Sequence, residues 1–278
     1  ASFNEYKNFI EQNSDYPRIN RIRFLAEEKM HLRNNSPTSI INWFNRYPPL
    51  GGMGKIKLAE AYLEKGQIDR VQTLIKEGWE TATISKNDLG YYRAKFKKFI
   101  DSEDHIERAD YLAWEKKYWD LKRMLKYLPK DQRALYNARQ ILMSNSYGVD
   151  NAISKVPQYL KKDPGLEFDR LRWRNRRGRL EGSLEILYRN SIKTEQQMVR
   201  PDKWWEQRES VVRNLIYKKR YKTAYKISSE HALSAGPSFA EAEWLSGWIA
   251  LTFLNSPEYA ISHFKNFYNN VGYPVSLC

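Results

Sequence analysis

Cysteine is almost absent from the 278-residue chain. The one thiol, Cys278, cannot close an internal disulfide, and no C-x-x-C pair is available for a metal or for redox chemistry. So little cysteine fits a cytosolic protein, and equally a secreted one large enough to fold without staples. Glycine (13) and proline (11) are scarce. Few turn-formers mean long elements, and in a chain rich in Leu, Ala, Lys and Glu long elements mean helices. No apolar run approaches the ~18 residues that span a bilayer, so no transmembrane segment is expected. The start, Ala1-Ser2-Phe3-Asn4-Glu5, has neither a basic n-region nor an apolar h-region. Either the protein is never exported or its signal has been removed, and a leading small residue is compatible with cleavage.

What is present narrows the class. Hydrophobic residues at 41%, charged at 29% and aromatic at 14% exclude a disordered tail, a collagen-like fibre and a small disulfide scaffold. Basic residues outnumber acidic ones 47 to 33, a net charge of +14. Such an excess attracts polyanions: nucleic acid, anionic lipid or acidic cell-wall polymer. It is also what a lysine-rich bias leaves on solvated helix faces. The basic residues are spread along the whole chain rather than gathered into a footprint, and both readings stay open.

Apolar residues recur at helical spacing nearly throughout. Leu58, Ala61, Tyr62 and Leu63 precede a break at Lys65-Gly66-Gln67, and Ile68, Val71, Leu74 and Ile75 follow it. This reads as helix, glycine turn, helix, with the two stripes able to face each other. The pattern returns around Trp114–Asp120, Arg176–Leu180, Tyr217–Tyr221 and Phe253–Pro257. Aligned on the turn, the repeats fall at positions 66, 117, 178, 219 and 255. The period is irregular but suits degenerate helix pairs of the tetratricopeptide kind, whose repeat is ~34 residues. Small residues at Val71, Ser183, Ala224 and Ala260 would let the second helix of each pair cross closely; Lys122 breaks that pattern in the second pair. No alternating strand-like stretch occurs. The expected architecture is all-α, one continuous domain over 1–278: a right-handed superhelix of helix pairs, curved or ring-forming.

Most chemical motifs fail on inspection. Gly51-Gly52-Met53-Gly54-Lys55-Ile56 has the look of a phosphate loop, but Pro49 stands where the first glycine should be and Ile56 where Ser or Thr should follow the lysine. A glycine-rich beginning to a helix over Lys55–Lys65 is the better reading. Gln207-Arg208-Glu209-Ser210 resembles the Glu-Ser start of a muramidase catalytic helix, and a lone carboxylic acid in an apolar pocket could protonate a glycosidic oxygen. Glu209, however, lies in a charged helix beside Arg208, which would hold it ionised, so a surface glutamate is expected. His31, His105, His231 and His263 have no partner at i+3 or i+4, so no helix carries metal-ligand spacing. His263, beside Phe264, reads as packing or surface. Arg172-Trp173-Arg174-Asn175-Arg176-Arg177 could stack sugars or bases; the alternative is a buried Trp173 with arginines snorkelling to water. No catalytic, cofactor-binding or metal-binding residue is assigned.

The last third carries a more specific pattern. Phe239-Ala240-Glu241-Ala242-Glu243-Trp244-Leu245-Ser246-Gly247-Trp248-Ile249-Ala250-Leu251, then Phe253-Leu254-Asn255, Ala260 and His263-Phe264, is similar to the soluble lytic murein transglycosylases, in the helical segment before their catalytic domain. Other segments agree in order: Phe9–Asn13 with Tyr16-Pro17, Pro48-Pro49-Leu50 to Gly54-Lys55, Leu58–Ala61, Asp163–Leu166, Arg172–Arg174, and Trp204-Trp205 with Arg208. The resemblance spans nearly the whole chain. It implies a large α-superhelix that curls into a ring, followed by a lysozyme-like domain. That domain cleaves MurNAc–GlcNAc bonds of peptidoglycan to 1,6-anhydro-MurNAc ends, without water and through one glutamate, in the periplasm. The family continues past Tyr273-Pro274-Val275-Ser276, whereas this chain stops at Leu277-Cys278. A fragment boundary, a split gene and a frameshift would each produce this. The expectation is therefore the superhelical region alone, truncated before the catalytic domain and inactive by itself.

Its expected role is to position glycan strands or the catalytic module. Its expected partners are peptidoglycan glycan strands and other cell-wall proteins, with no cofactor. Two rivals remain, a helical-repeat scaffold that binds a protein and a basic nucleic-acid-binding helical protein; of these, nucleic acid is the less favoured. Along the last helix pair, Trp244, Leu245, Trp248 and Leu251 are expected to be buried packing.

Overall fold

Helix beginnings are written locally in the chain. Ser2 accepts from the backbone of Glu5 while Glu5 reaches back to Ser2, and Asp101 and Asp104 repeat this capping box at the helix that begins at Ser102. Ser36-Pro37 and Asp163-Pro164 place an accepting side chain before a proline whose missing N–H costs nothing in the first turn. The computed structural model describes residues 1–144, 147–191 and 198–271, and among them there are sixteen α-helices and no strand. Tyr273 to Cys278 lie outside the described residues. No helix among the described residues is long and apolar enough to cross a membrane.

The chain forms two compact units. The first, residues 1–141 with 148–157, holds α1 (Phe3–Gln12), α2 (Ile19–Lys29), α3 (Pro37–Arg46), α4 (Gly52–Glu64), α5 (Val71–Thr81), α6 (Lys86–Lys95), α7 (Ser102–Trp114), α8 (Tyr118–Met124), α9 (Lys130–Leu142, but for its last residue) and α10 (Val149–Ser154). Helix α4 is its centre: it packs on α2, α3 and α5, and eight of its residues are buried. Trp79, Phe96 and Trp114 are fully buried in this unit. The second unit holds α11 (Pro164–Arg176), α12 (Leu180–Arg189), α13 (Pro201–Tyr217), α14 (Tyr221–Ser229), α15 (Gly236–Phe253) and α16 (Pro257–Asn270), with Phe168, Trp204 and Trp205 as its largest buried rings.

One turn recurs in both units. Helices α4/α5, α7/α8, α11/α12, α13/α14 and α15/α16 each pack together, and each pair is joined through a single left-handed residue: Gly66 (φ 72°), Lys116 (φ 58°), Gly178 (φ 64°), Lys219 (φ 58°) and Asn255 (φ 51°). At four of the five, the next N–H reaches back five residues: Gln67 to Tyr62 O at 3.0 Å, Lys117 to Leu112 O at 2.9 Å, Arg179 to Arg174 O at 2.9 Å and Arg220 to Leu215 O at 2.8 Å. This closes the helix end and satisfies a stranded carbonyl. The positions are those aligned from the sequence, except that the second lies at Lys116 rather than 117. The small residues behave as their spacing suggested: Val71, Ser183, Ala224 and Ala260 are all buried at the start of the second helix. In the second pair Lys122 faces solvent, and Leu121 and Met124 make the contact instead.

Part of the basic excess is structural. Arg108 on α7 is 1% exposed and donates to the carbonyls of Trp79 and Ala82 at the end of α5. Arg208 on α13 is fully buried and donates to Ile227 O at 3.1 Å and Asn190 O at 3.5 Å, closing α14 and α12. Arg176 on α11 does the same for the carbonyls of Leu142 and Met143. A guanidinium suits this place because helix C-termini carry partial negative charge and unpaired acceptors. Burial lowers the pKa of Arg108 and of Arg208 to about 10.

Candidate functional site

The start of α4 shows why position 54 is a glycine. The carboxylate of Glu27, on α2, accepts from the backbone N–H of Leu50 at 2.7 Å and of Gly51 at 3.0 Å. A Cβ on Gly54 would collide with that carboxylate. The N-terminus of α4 thus already holds an internal anion where a phosphate loop would hold a ligand. Burial pushes the Glu27 pKa up, against the two backbone donors. The helix begins at Gly52, three residues earlier than its sequence suggests.

One turn further on, α4 places Lys57 and Glu60 on the face that meets α6. Lys57 is 3% exposed and Glu60 2%. Lys57 Nζ lies 2.5 Å from the Tyr92 hydroxyl and 3.2 Å from His31 Nδ1. Glu60 accepts from the Tyr91 hydroxyl and from Lys95 at 3.0 Å; Lys95 also reaches Glu64 at 2.7 Å. Lys57, Glu60, Tyr91 and Tyr92 line an open cavity of about 670 Å³, together with His31, Arg33 and Asp88. Burial lowers the Lys57 pKa and pushes the Tyr92 phenol well above its ordinary range. His31 is lowered too, by its own burial and then by the Lys57 charge. A cavity of this size with converging polar groups and a displaced lysine is where ligand binding or proton chemistry would be sought. The sequence carries no sign of it: Lys57 meets partners 26 and 35 residues away.

The other sequence candidates are dispersed. Glu209 is paired with Arg213, at 2.5 Å, so a surface ion pair holds it. Arg208, expected to do this, turns the other way into the core. Trp173 is half-buried, with Arg177 and Arg179 over its ring at 5.5 and 4.8 Å. Arg172 does not snorkel: it is buried and pairs with Asp169 at 3.1 Å. On α15 the expected core stripe is turned over. Leu245 is buried, but Trp244 and Leu251 are about half exposed and Trp248 lies between these extremes. The buried face includes Ala242, Leu245, Ser246, Ile249 and Ala250, and helical spacing puts positions 244, 248 and 251 on the other side of α15. Trp244 and Trp248 are parallel, with centroids 6.1 Å apart, and Trp248 meets the edge of Phe253, which stacks on Tyr221.

Two histidines that are distant in sequence come together. Glu243 on α15 receives His231 Nε2 at 3.2 Å and His263 Nδ1 at 2.6 Å, and His263 Nε2 lies 3.1 Å from the Tyr225 hydroxyl. Leu233 N–H donates to His231 Nδ1 at 3.0 Å, which leaves the His231 proton on Nε2, facing Glu243. Burial raises the Glu243 pKa, but the two imidazole donors outweigh it and hold the carboxyl at about 2. Among the described residues no group of three or more His, Cys, Asp or Glu side chains is placed to hold a metal ion. His105 is buried and lies 3.2 Å from Trp79 Nε1.

No protein family, curated protein or solved structure matches the chain.

Proposed function

We propose that the chain is the superhelical region of a lytic transglycosylase, a right-handed stack of helix pairs that positions peptidoglycan glycan strands in the periplasm. The observation that carries the reading is an aromatic row that starts at half-exposed Trp244 on α15 and runs through the partly buried Trp248 and Phe253 to Tyr221 on α14. Flat, parallel indole faces at Trp244 and Trp248, continued by Phe253 and Tyr221, suit the C–H faces of successive sugar rings. The row lies in the segment whose residues resemble that family. The recurring left-handed turn supports the helix-pair part of the reading, and exposed lysines supply a salt-sensitive attraction to peptide carboxylates.

The test is retention on purified sacculi at low salt. Retention by the parent protein, weakened severalfold by Trp244→Ala, supports the reading, and a protein left entirely in the supernatant overturns it. Displacement from sacculi by duplex DNA at much lower concentration would put nucleic-acid binding ahead. A second reading is favoured by Leu251, an exposed aliphatic side chain in the same row: a protein partner docked on α15. It predicts an association that survives high salt and does not need glycan.

A further inference from the structure

A buried ammonium ordinarily sits against a carboxylate, because desolvating a charge is repaid only by an opposite charge or a full set of hydrogen bonds. Lys57 is an exception. It is 3% exposed, its two partners are the Tyr92 hydroxyl and His31 Nδ1, and no described carboxylate lies within ion-pairing distance. Glu60 and Asp88 act on it only through the field. Glu60 is already engaged by Tyr91 and Lys95. The uncompensated cation lines the cavity of about 670 Å³, where a ligand can bring the missing charge.

We propose that this cavity binds an acidic sugar, with the ligand carboxylate on Lys57 Nζ and the sugar ring against Tyr91. The volume falls in the range that holds a small ligand and accommodates one or two sugar rings. Tyr91 is half exposed and lines the cavity, so its ring is available for sugar stacking. Asp88, also on the wall, can accept from ring hydroxyls. Lys57 offers a compact point charge with rotatable donors, and Arg33, also on the wall, adds a second cation to attract an anionic ligand. The lowered pKa of Lys57 agrees with a cation awaiting its counter-charge; a bound carboxylate would raise it again. The proposal deepens the glycan-scaffold reading and rests on it for which acidic sugar is relevant.

The experiment is calorimetric titration of the full chain with two matched pairs, N-acetylmuramic acid against N-acetylglucosamine and glucuronic acid against glucose. Each acidic member should bind about ten- to a hundredfold tighter than its neutral partner, the range of a hydrogen bond to a charged group. Lys57→Gln should erase that preference, and Lys57→Arg should keep part of it. Preference within the first pair alone identifies the wall sugar; preference within both identifies acidic sugars generally. Lys57→Met, which removes an uncompensated buried charge, should melt no lower than the parent, and this separates lost binding from lost folding. Equal affinity within both pairs, a preference unchanged in Lys57→Gln, or tighter binding of inorganic phosphate overturns the proposal. Parent protein that is retained on sacculi yet shows no acidic-sugar preference sinks the cavity assignment and leaves the scaffold reading standing; failure of retention sinks the scaffold reading itself.

Discussion

Replacing Gly178 with alanine isolates the energetics of the recurring turn. Gly178 has φ 64°, and a Cβ built there meets no atom within 4 Å, so no collision contributes to the effect. The left-handed conformation costs an L-residue about 1–2 kcal/mol. Alanine returns about 0.4–1 kcal/mol by restricting the unfolded chain. The net loss should lie within about 0–1.6 kcal/mol, with its middle at about 0.8 kcal/mol, or a melting temperature lower by up to roughly 6 °C for a cooperative unit of this size. Lys219, at φ 58° in the equivalent turn of the next pair, supplies the mirror experiment: Lys219→Gly should release the same strain and stabilise the protein by a similar amount. Thermal and urea unfolding followed by far-UV circular dichroism would measure both. A Gly178→Ala protein more stable than the parent, or a Lys219→Gly protein less stable, would refute the shared-turn argument.

Gly54→Ala should destabilise the first unit by about 1–3 kcal/mol, because its methyl group meets the Glu27 carboxylate that caps α4; urea unfolding decides it, and a neutral result would show that Glu27 can step aside. Two tryptophans give a contrast: Trp205→Ala, at 1% exposed, should cost about 3–5 kcal/mol, whereas Trp244→Ala, half exposed, should stay within about 1 kcal/mol of the parent. Glu243 is depressed from 4.5 to about 2, so it contributes stability that is present above pH 4.5 and is lost as the pH falls towards 2. In acid titrations the parent should therefore lose stability more steeply over that window than Glu243→Gln, and parallel curves would contradict the imidazole–carboxylate account.

Much of the helical order of this protein is local, and local order is legible. The five turns can be aligned from the apolar stripes on either side of them, and Val71, Ser183, Ala224 and Ala260, singled out by their place after the turn, are buried. Pro49 and Ile56 exclude a phosphate loop from sequence alone, and the tertiary structure supplies the reason for Gly54 in the carboxylate of Glu27, a residue more than twenty positions earlier. Other features had no local trace. Helix α15 is apolar on almost every side, so periodicity could not tell which face would be covered, and Trp244 and Trp248 turned out to lie opposite the buried one. Arg208 and Arg213 look alike as neighbours of Glu209; packing against α12 and α14 took the first into the core and left the second to make the ion pair. Lys57 reads as one more lysine of a solvated helix, and His231 and His263 as two unrelated histidines. Their surroundings are assembled from separate helices, and burial, charge compensation and hydrogen-bond pairing are properties of that assembly rather than of any stretch of chain.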